Sequence, residues 1–176
     1  MLGAMERLFQ PSGGFAVIDV ETTGFDTLRD RIVEVAVVQT DGFVIESRWS
    51  SLVNPGIPIP PMSQAFHGLG DADVCGAPEL WALLPAIEDL TDGRTLVAHH
   101  ATFDRNFLWT LRRPWICTLE LARRAYPHAP SHRLGKLVDY LGLGPRLTSE
   151  RLHRALPDAE AAAYVLMACL ESLKAA

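Results

Sequence analysis

The period of the apolar residues changes partway along this chain, and that change limits the folds open to it. Up to about residue 52 the apolar residues come in short β-branched runs, and from Pro78 onward they recur at helical spacing. Phe15 to Val20 and Arg31 to Gln39 read as paired strands joined by a polar turn containing Thr22, Thr23 and Gly24. Asp41-Gly42 is a two-residue turn signal into a third strand, Phe43 to Leu52, so the first fifty residues predict a hairpin meander. Asn54 to Pro61 holds four prolines and predicts an extended surface loop. Beyond it, Leu80, Leu83, Leu84 and Ile87 mark a helix, and Thr95 to Ala98 a short buried strand. Thr102 to Arg112 predicts another helix with Thr102 as its cap, and Trp115 to Cys117 a further short strand. Leu119 to Ala125, Leu134 to Leu141 and Pro157 to Leu173 complete the helices, the last with proline at its first position. A meander followed by alternating helices and short strands predicts an α/β fold, a mixed sheet covered by helices.

The 176 residues fit one domain, expected to span 1–176 with 1–13 loosely ordered. With 48% apolar and 21% charged residues, the composition is that of a globular protein and excludes disorder. No uninterrupted stretch of eighteen apolar residues occurs, and Glu6 and Arg7 lie within the first ten positions. Neither a membrane span nor a secretory signal is therefore expected, and the location expected is cytoplasmic. Cys75, Cys117 and Cys169 are odd in number and far apart, which predicts small buried hydrophobes rather than disulfides or a thiolate metal site.

The net charge of −5 divides unevenly. Met1 to Asp104 carries 5 basic and 15 acidic side chains, net −10, whereas Arg105 to Ala176 carries 11 and 6, net +5. Arg112, Arg113, Arg123, Arg124, Arg133, Lys136, Arg151 and Arg154 therefore either sit on solvated helix faces or include contacts to phosphates.

Four acids and a histidine stand out. Strand side chains alternate, so Asp19 and Glu21, at the end of the first apolar run, project to the same side. Asp104 falls in the first turn of its predicted helix, and Asp158 directly follows Pro157. His153 lies five residues before Asp158. Taken together, Val17-Ile18-Asp19-Val20-Glu21-Thr22-Thr23-Gly24, His99 through Phe103-Asp104, and His153 through Asp158-Ala159 resemble the three motifs of the DEDDh family of 3′-to-5′ exonucleases. Within it the chain is similar to the proofreading (epsilon) subunits of bacterial replicative DNA polymerases and to stand-alone relatives. The resemblance runs from about Phe15 to Leu170.

That resemblance implies a ribonuclease-H-like three-layer fold, a five-stranded mixed sheet flanked by helices, with the active site at one edge of the first strand. It implies hydrolysis of terminal phosphodiester bonds with two divalent cations, Mg²⁺ or Mn²⁺, ~3.5 to 4 Å apart. Asp19, Glu21, Asp104 and Asp158 would hold them, since hard oxygen ligands suit hard cations. His153 would be the general base, histidine being the side chain suited to proton exchange near neutrality. Thr22, Thr23 and Gly24 match the turn whose backbone approaches the terminal nucleotide, and Phe25 the apolar residue that wedges against the end base or else belongs to the core. His67 in His67-Gly68-Leu69, and Phe103, would line the nucleotide pocket.

The chain departs from the family pattern at His100, where many members have Asn, and at Met62, where some polymerase-associated members have Glu. It ends soon after the last predicted helix, so no tail of the kind by which some proofreading subunits hold their polymerase is expected. The partner implied is a single-stranded or frayed 3′ end of DNA, with a polymerase as a further partner. An RNA 3′ exonuclease, and a catalytically silent module binding nucleic acid or polymerase, are the alternative readings; only the last predicts loss of a motif residue, and all five are present.

Overall fold

The computed structural model describes residues 13–148 and 153–175. Its centre is a five-stranded sheet of β1 (Phe15–Thr22), β2 (Ile32–Thr40), β3 (Ile45–Leu52), β4 (Thr95–Ala98) and β5 (Trp115–Cys117), in the order β3-β2-β1-β4-β5. The first three strands pair antiparallel as the predicted meander, while β4 and β5 add to β1 in parallel. Both short strands, β4 and β5, have the limits read from sequence. The predicted N-terminal segment, 1–13, lies outside the described residues except for Gly13.

Helices cover both faces. On β1, Phe15 and Val17 enter one core with α5 (Thr118–Ala125), α6 (Leu134–Tyr140) and α7 (Ala155–Ala175), whereas Ala16, Ile18 and Val20 enter the other with α3 (Leu80–Thr91) and α4 (Ala101–Phe107). This alternation is the strand period at work. Asp19 and Glu21 therefore continue the face of Phe15 and Val17, the face on which α7 lies. Ala155, Ala159, Ala161, Ala162 and Ala163 are fully buried, and residues this small let α7 approach the sheet closely. Among the described residues no helix is long and apolar enough to cross a membrane.

Several boundaries differ from expectation. The β2–β3 connection has four residues, 41–44, because Asp41 Oδ1 accepts from the N–H groups of both Phe43 and Val44 and so builds a wider turn than Asp41-Gly42 alone. Two short helices, α1 (Pro61–His67) and α2 (Asp71–Val74), follow the proline loop in a stretch where the sequence predicts no element. The α4 helix ends at Phe107, five residues early, and starts from His100, not Thr102. The α7 helix starts at Ala155, so Pro157 lies within its first turn, where a missing N–H costs no intrahelical bond. Of the free cysteines only Cys169 is buried; Cys75 is exposed and Cys117 half-buried.

Two buried glutamates tie α7 to the sheet. Glu160, fully buried, accepts from the Arg48 guanidinium of β3 and from the backbone N–H and hydroxyl of Thr148. Glu34 of β2 accepts from Arg154 and the N–H of Ala155. Arg154 and Arg113 were phosphate candidates, but Arg154 is engaged by Glu34 and Arg113 donates to the carbonyl and hydroxyl of Thr91. Arg151 lies outside the described residues.

Candidate active site

The C-terminal end of β1, the start of α4 and the start of α7 enclose one cavity of about 770 Å³ that carries all four acids and His153. Ligand oxygens of Asp19, Glu21 and Asp158 lie within 4.8 Å of one another. Asp19 and Glu21 arrive by strand alternation, and Asp158 from the first turn of α7 on that same face. Asp104, in the first turn of α4, stands outside this trio but borders the same cavity and is 3% exposed. Site and sheet meet beyond the carboxyl ends of the parallel strands β1 and β4, the usual crevice of open α/β sheets. In the sheet order β1 is the central strand, so the site lies at its end and not along an edge strand.

Like charges packed this closely resist ionisation. Burial, then the charges of Asp104, Asp158, Glu21 and Glu34, hold the Asp19 carboxyl well above the ordinary range. Glu21 is pushed up to about 8 by burial and by Asp158 and Glu34, against a lowering from Arg154. Burial takes Asp104 to about 7, opposed by backbone N–H groups. It takes Asp158 to about 6, opposed by the His153 N–H that donates to Asp158 Oδ1 at 3.1 Å. An all-oxygen, mutually repelling donor set of this kind fits a hard divalent cation, which would replace the protons the carboxyls otherwise hold.

His153 is exposed, adopts a left-handed backbone with φ 68°, and packs its ring on Phe66 at 4.3 Å between centroids. Across the cavity, the loop after β1 is locked by Asp30, a residue the sequence reading passed over. Asp30 Oδ1 accepts from the Thr23 hydroxyl and Oδ2 from the N–H of Asp26. A Cβ on Gly24 would stand 2.4 Å from Asp30 Oδ2 and would push that carboxylate out of the bonds that lock the loop. Thr22 donates its hydroxyl to the Gly24 carbonyl, and Ser63 of α1 donates to the carbonyl of Thr23.

Phe25 is 87% exposed at the cavity, which removes it from the core, and its ring lies 6.1 Å from that of Phe103. His67 ends α1 and is buried; its Nδ1 accepts from the N–H of Leu69, so Nε2 carries the proton. That Nε2 makes no well-formed hydrogen bond among the described residues, although the Thr22 backbone lies close enough to favour the protonated ring; burial is the larger effect and lowers the ring's pKa. His99 is a different case. Its ring nitrogens meet the Thr118 hydroxyl and the His132 carbonyl, both at 3.0 Å, and burial lowers its pKa to about 4. His100 and Met62, the departures from the family pattern, both border the cavity.

The Exonuclease (RNase_T) family model matches residues 16–166. The DNA polymerase III subunit epsilon of Aquifex aeolicus (strain VF5) is 31% identical over 170 residues, which cover 92% of this chain and 82% of that protein. The DNA polymerase III PolC-type of Bacillus cereus is 34% identical over 168 residues, 90% of this chain but 11% of that much longer protein. Among solved structures, Exonuclease X in complex with 5′ overhanging duplex DNA has a TM-score of 0.75 at 32% identity, covering 89% of this chain and 91% of that one. Exonuclease I, 18% identical with a TM-score of 0.70, shares the fold. A five-stranded mixed sheet with carboxylates at the end of β1, and a family match over nearly the whole fold, make this chain a member of the exonuclease family, a nuclease of the hydrolase class.

Proposed function

We propose that the protein is a 3′-to-5′ DNA exonuclease that releases nucleoside 5′-monophosphates in proofreading or repair, in the cytoplasm. The observation that carries this reading is the convergence of Asp19, Glu21, Asp104 and Asp158 on one cavity beside His153. Asp19, Glu21 and Asp158 would hold one divalent cation, and Asp104 with Asp19 a second, both Mg²⁺ or Mn²⁺. Bound there, the ions supply Lewis-acid stabilisation of the charge that develops on the phosphoryl and leaving oxygens.

The protein's own groups do the rest. His153 takes the proton of the attacking water on an imidazole nitrogen, and its exposed ring leaves room for that water. The backbone of Thr22, Thr23 and Gly24 forms one wall for the terminal nucleotide, held in place by Asp30 and Ser63. Phe25 and Phe103 offer aromatic faces to the end base, stacking of this kind contributing ~1 to 3 kcal/mol per base. His67 borders the same pocket from the end of α1, its buried ring lying against the Thr22 backbone. DNA is favoured as the substrate because Exonuclease X was solved with DNA and the epsilon relative is a DNA polymerase subunit. Those names also support a polymerase as partner.

Purified protein with Mg²⁺ or Mn²⁺ should shorten a 3′ end-mispaired DNA duplex and single-stranded DNA one nucleotide at a time. No product under either ion would leave a silent binding module, and faster cleavage of an RNA oligomer than of DNA would reassign the substrate.

A further inference from the structure

Among the described residues, His153 is held by fewer contacts than the acids around it. Its side chain is exposed and it precedes α7; among the described residues its own ties are one backbone bond to Asp158 and the Phe66 ring. Its neighbour is gripped firmly. Arg154 Nε donates to Glu34 Oε2 at 2.8 Å and Nη2 to Oε1 at 2.7 Å, a planar two-point fork. The Ala155 N–H donates to the same Oε2 at 2.9 Å.

Glu34 lies directly across the β1–β2 ladder from Glu21 and is buried, so by position it is a fifth acid of the cluster. Its oxygens are already occupied, and it is absent from the trio whose ligand atoms converge. With three of its roughly four acceptor sites taken, a carboxylate in that state is a poor cation ligand. What it does instead is anchor the residue following His153 to the sheet, one peptide unit from a left-handed backbone that no glycine relaxes.

We propose that Glu34 and Arg154 form a clamp that positions His153 for proton transfer, with Glu34 a positioning residue and not an ion ligand. The inference rests on the reading of His153 as general base. The test makes Glu34→Gln and Arg154→Lys in the full chain, each with His153 present and with His153→Ala. Four readouts are needed: kcat, KM on a single-stranded DNA oligomer, melting temperature, and Mg²⁺ affinity by calorimetry.

With His153 present, each clamp variant should lose roughly 10- to 100-fold in kcat, the usual range for partners that orient a site residue. In Arg154→Lys, which keeps both charges, KM and Mg²⁺ affinity should stay within about threefold; Glu34→Gln also removes a negative charge facing Glu21, so its Mg²⁺ affinity is not the diagnostic readout. In the His153→Ala background the same substitutions should cost less than about twofold, since the residue they orient is gone. Equal losses in both backgrounds, a matching loss of Mg²⁺ affinity in Arg154→Lys, or unchanged kcat would each overturn the clamp. Should Glu34→Gln show no cooperative melt, Arg154→Lys, which leaves the carboxylate a counter-charge, carries the same comparison. If His153→Ala alone keeps full rate, the general-base reading falls and the clamp with it. If His153→Ala loses rate while both clamp variants keep theirs, the clamp alone falls.

Discussion

At Asp19 the chain places a carboxylate where folding alone would disfavour one, enclosed and facing other acids. Because the folded pKa values of Asp19, Glu21 and Asp104 are raised, the metal-free folded state binds more protons than the unfolded chain at pH values between the ordinary carboxylate range and about 8. Stability of the metal-free protein therefore falls as pH rises through that window, and melting temperatures at pH 6.5 and 8.5 in chelator should show the drop. Asp19→Asn should shrink the drop and raise the metal-free melting temperature at pH 8.5 while abolishing turnover; a lower melting temperature would contradict the repulsion argument. His153→Ala should lose roughly 10² to 10⁴ in rate and keep its ion affinity. The shared face of Asp19 and Glu21 was readable from the strand period, whereas Asp104, Asp158 and His153 were singled out only by the resemblance of their motifs to the family's. Asp30 and Glu34 were not, since their roles come from partners brought close only by the fold. Glu34 did leave a trace: it is an ionisable residue inside the buried run Ile32-Val33-Glu34-Val35-Ala36-Val37-Val38, which demands a partner.

At the scale of elements, strands and long helices were legible because their apolar periods are strong, and short helices were not. The α1 helix has seven residues directly after a proline-rich loop, and its one sequence signal, Pro60-Pro61 at the start, also suits an extended loop. Its end depends on Gly68 at φ 78°, whose N–H returns to the Gln64 carbonyl. Gly68→Ala should cost about 1 kcal/mol in chemical denaturation. Because His67 is the residue before it, that variant should also raise KM more than it lowers kcat. His99 joins the start of α4 to α5 and the 132 loop, and acts on stability through pH. Its folded pKa of about 4 lies below the ordinary histidine value, so the unfolded chain binds more protons between those limits. Its contribution is complete above about 6.5 and is lost as pH falls toward 4, on the order of 3 kcal/mol in total. Comparing melts at pH 7.5 and 5.0, the drop should be smaller in His99→Gln than in the natural sequence.

For the molecule as a whole, the halves of opposite charge found in the sequence do not become two bodies. The acidic half supplies β1–β3 and the wall of the site, and the basic half supplies α5–α7, packed across the same sheet. Two divalent cations would move the formal charge from −5 to about −1, which eases the approach of a polyanion. An ion at a hundred times its dissociation constant contributes ~2.7 kcal/mol to folding. For a chain of this size that is roughly 5 to 10 °C in melting temperature. Mg²⁺ should produce an upward shift of that size in the natural sequence, reversible by chelator, and none in Asp19→Asn.

The left-handed backbone at His153 sets the chemistry of the site against the comfort of the chain. Glycine or asparagine would rest in that conformation with less strain, on the order of 1 kcal/mol, yet neither can shuttle a proton at neutral pH. Selection for durability and selection for turnover thus pull this one position in opposite directions. A His153→Gly protein should outlast the natural one on heating and be slowed on every substrate as much as His153→Ala.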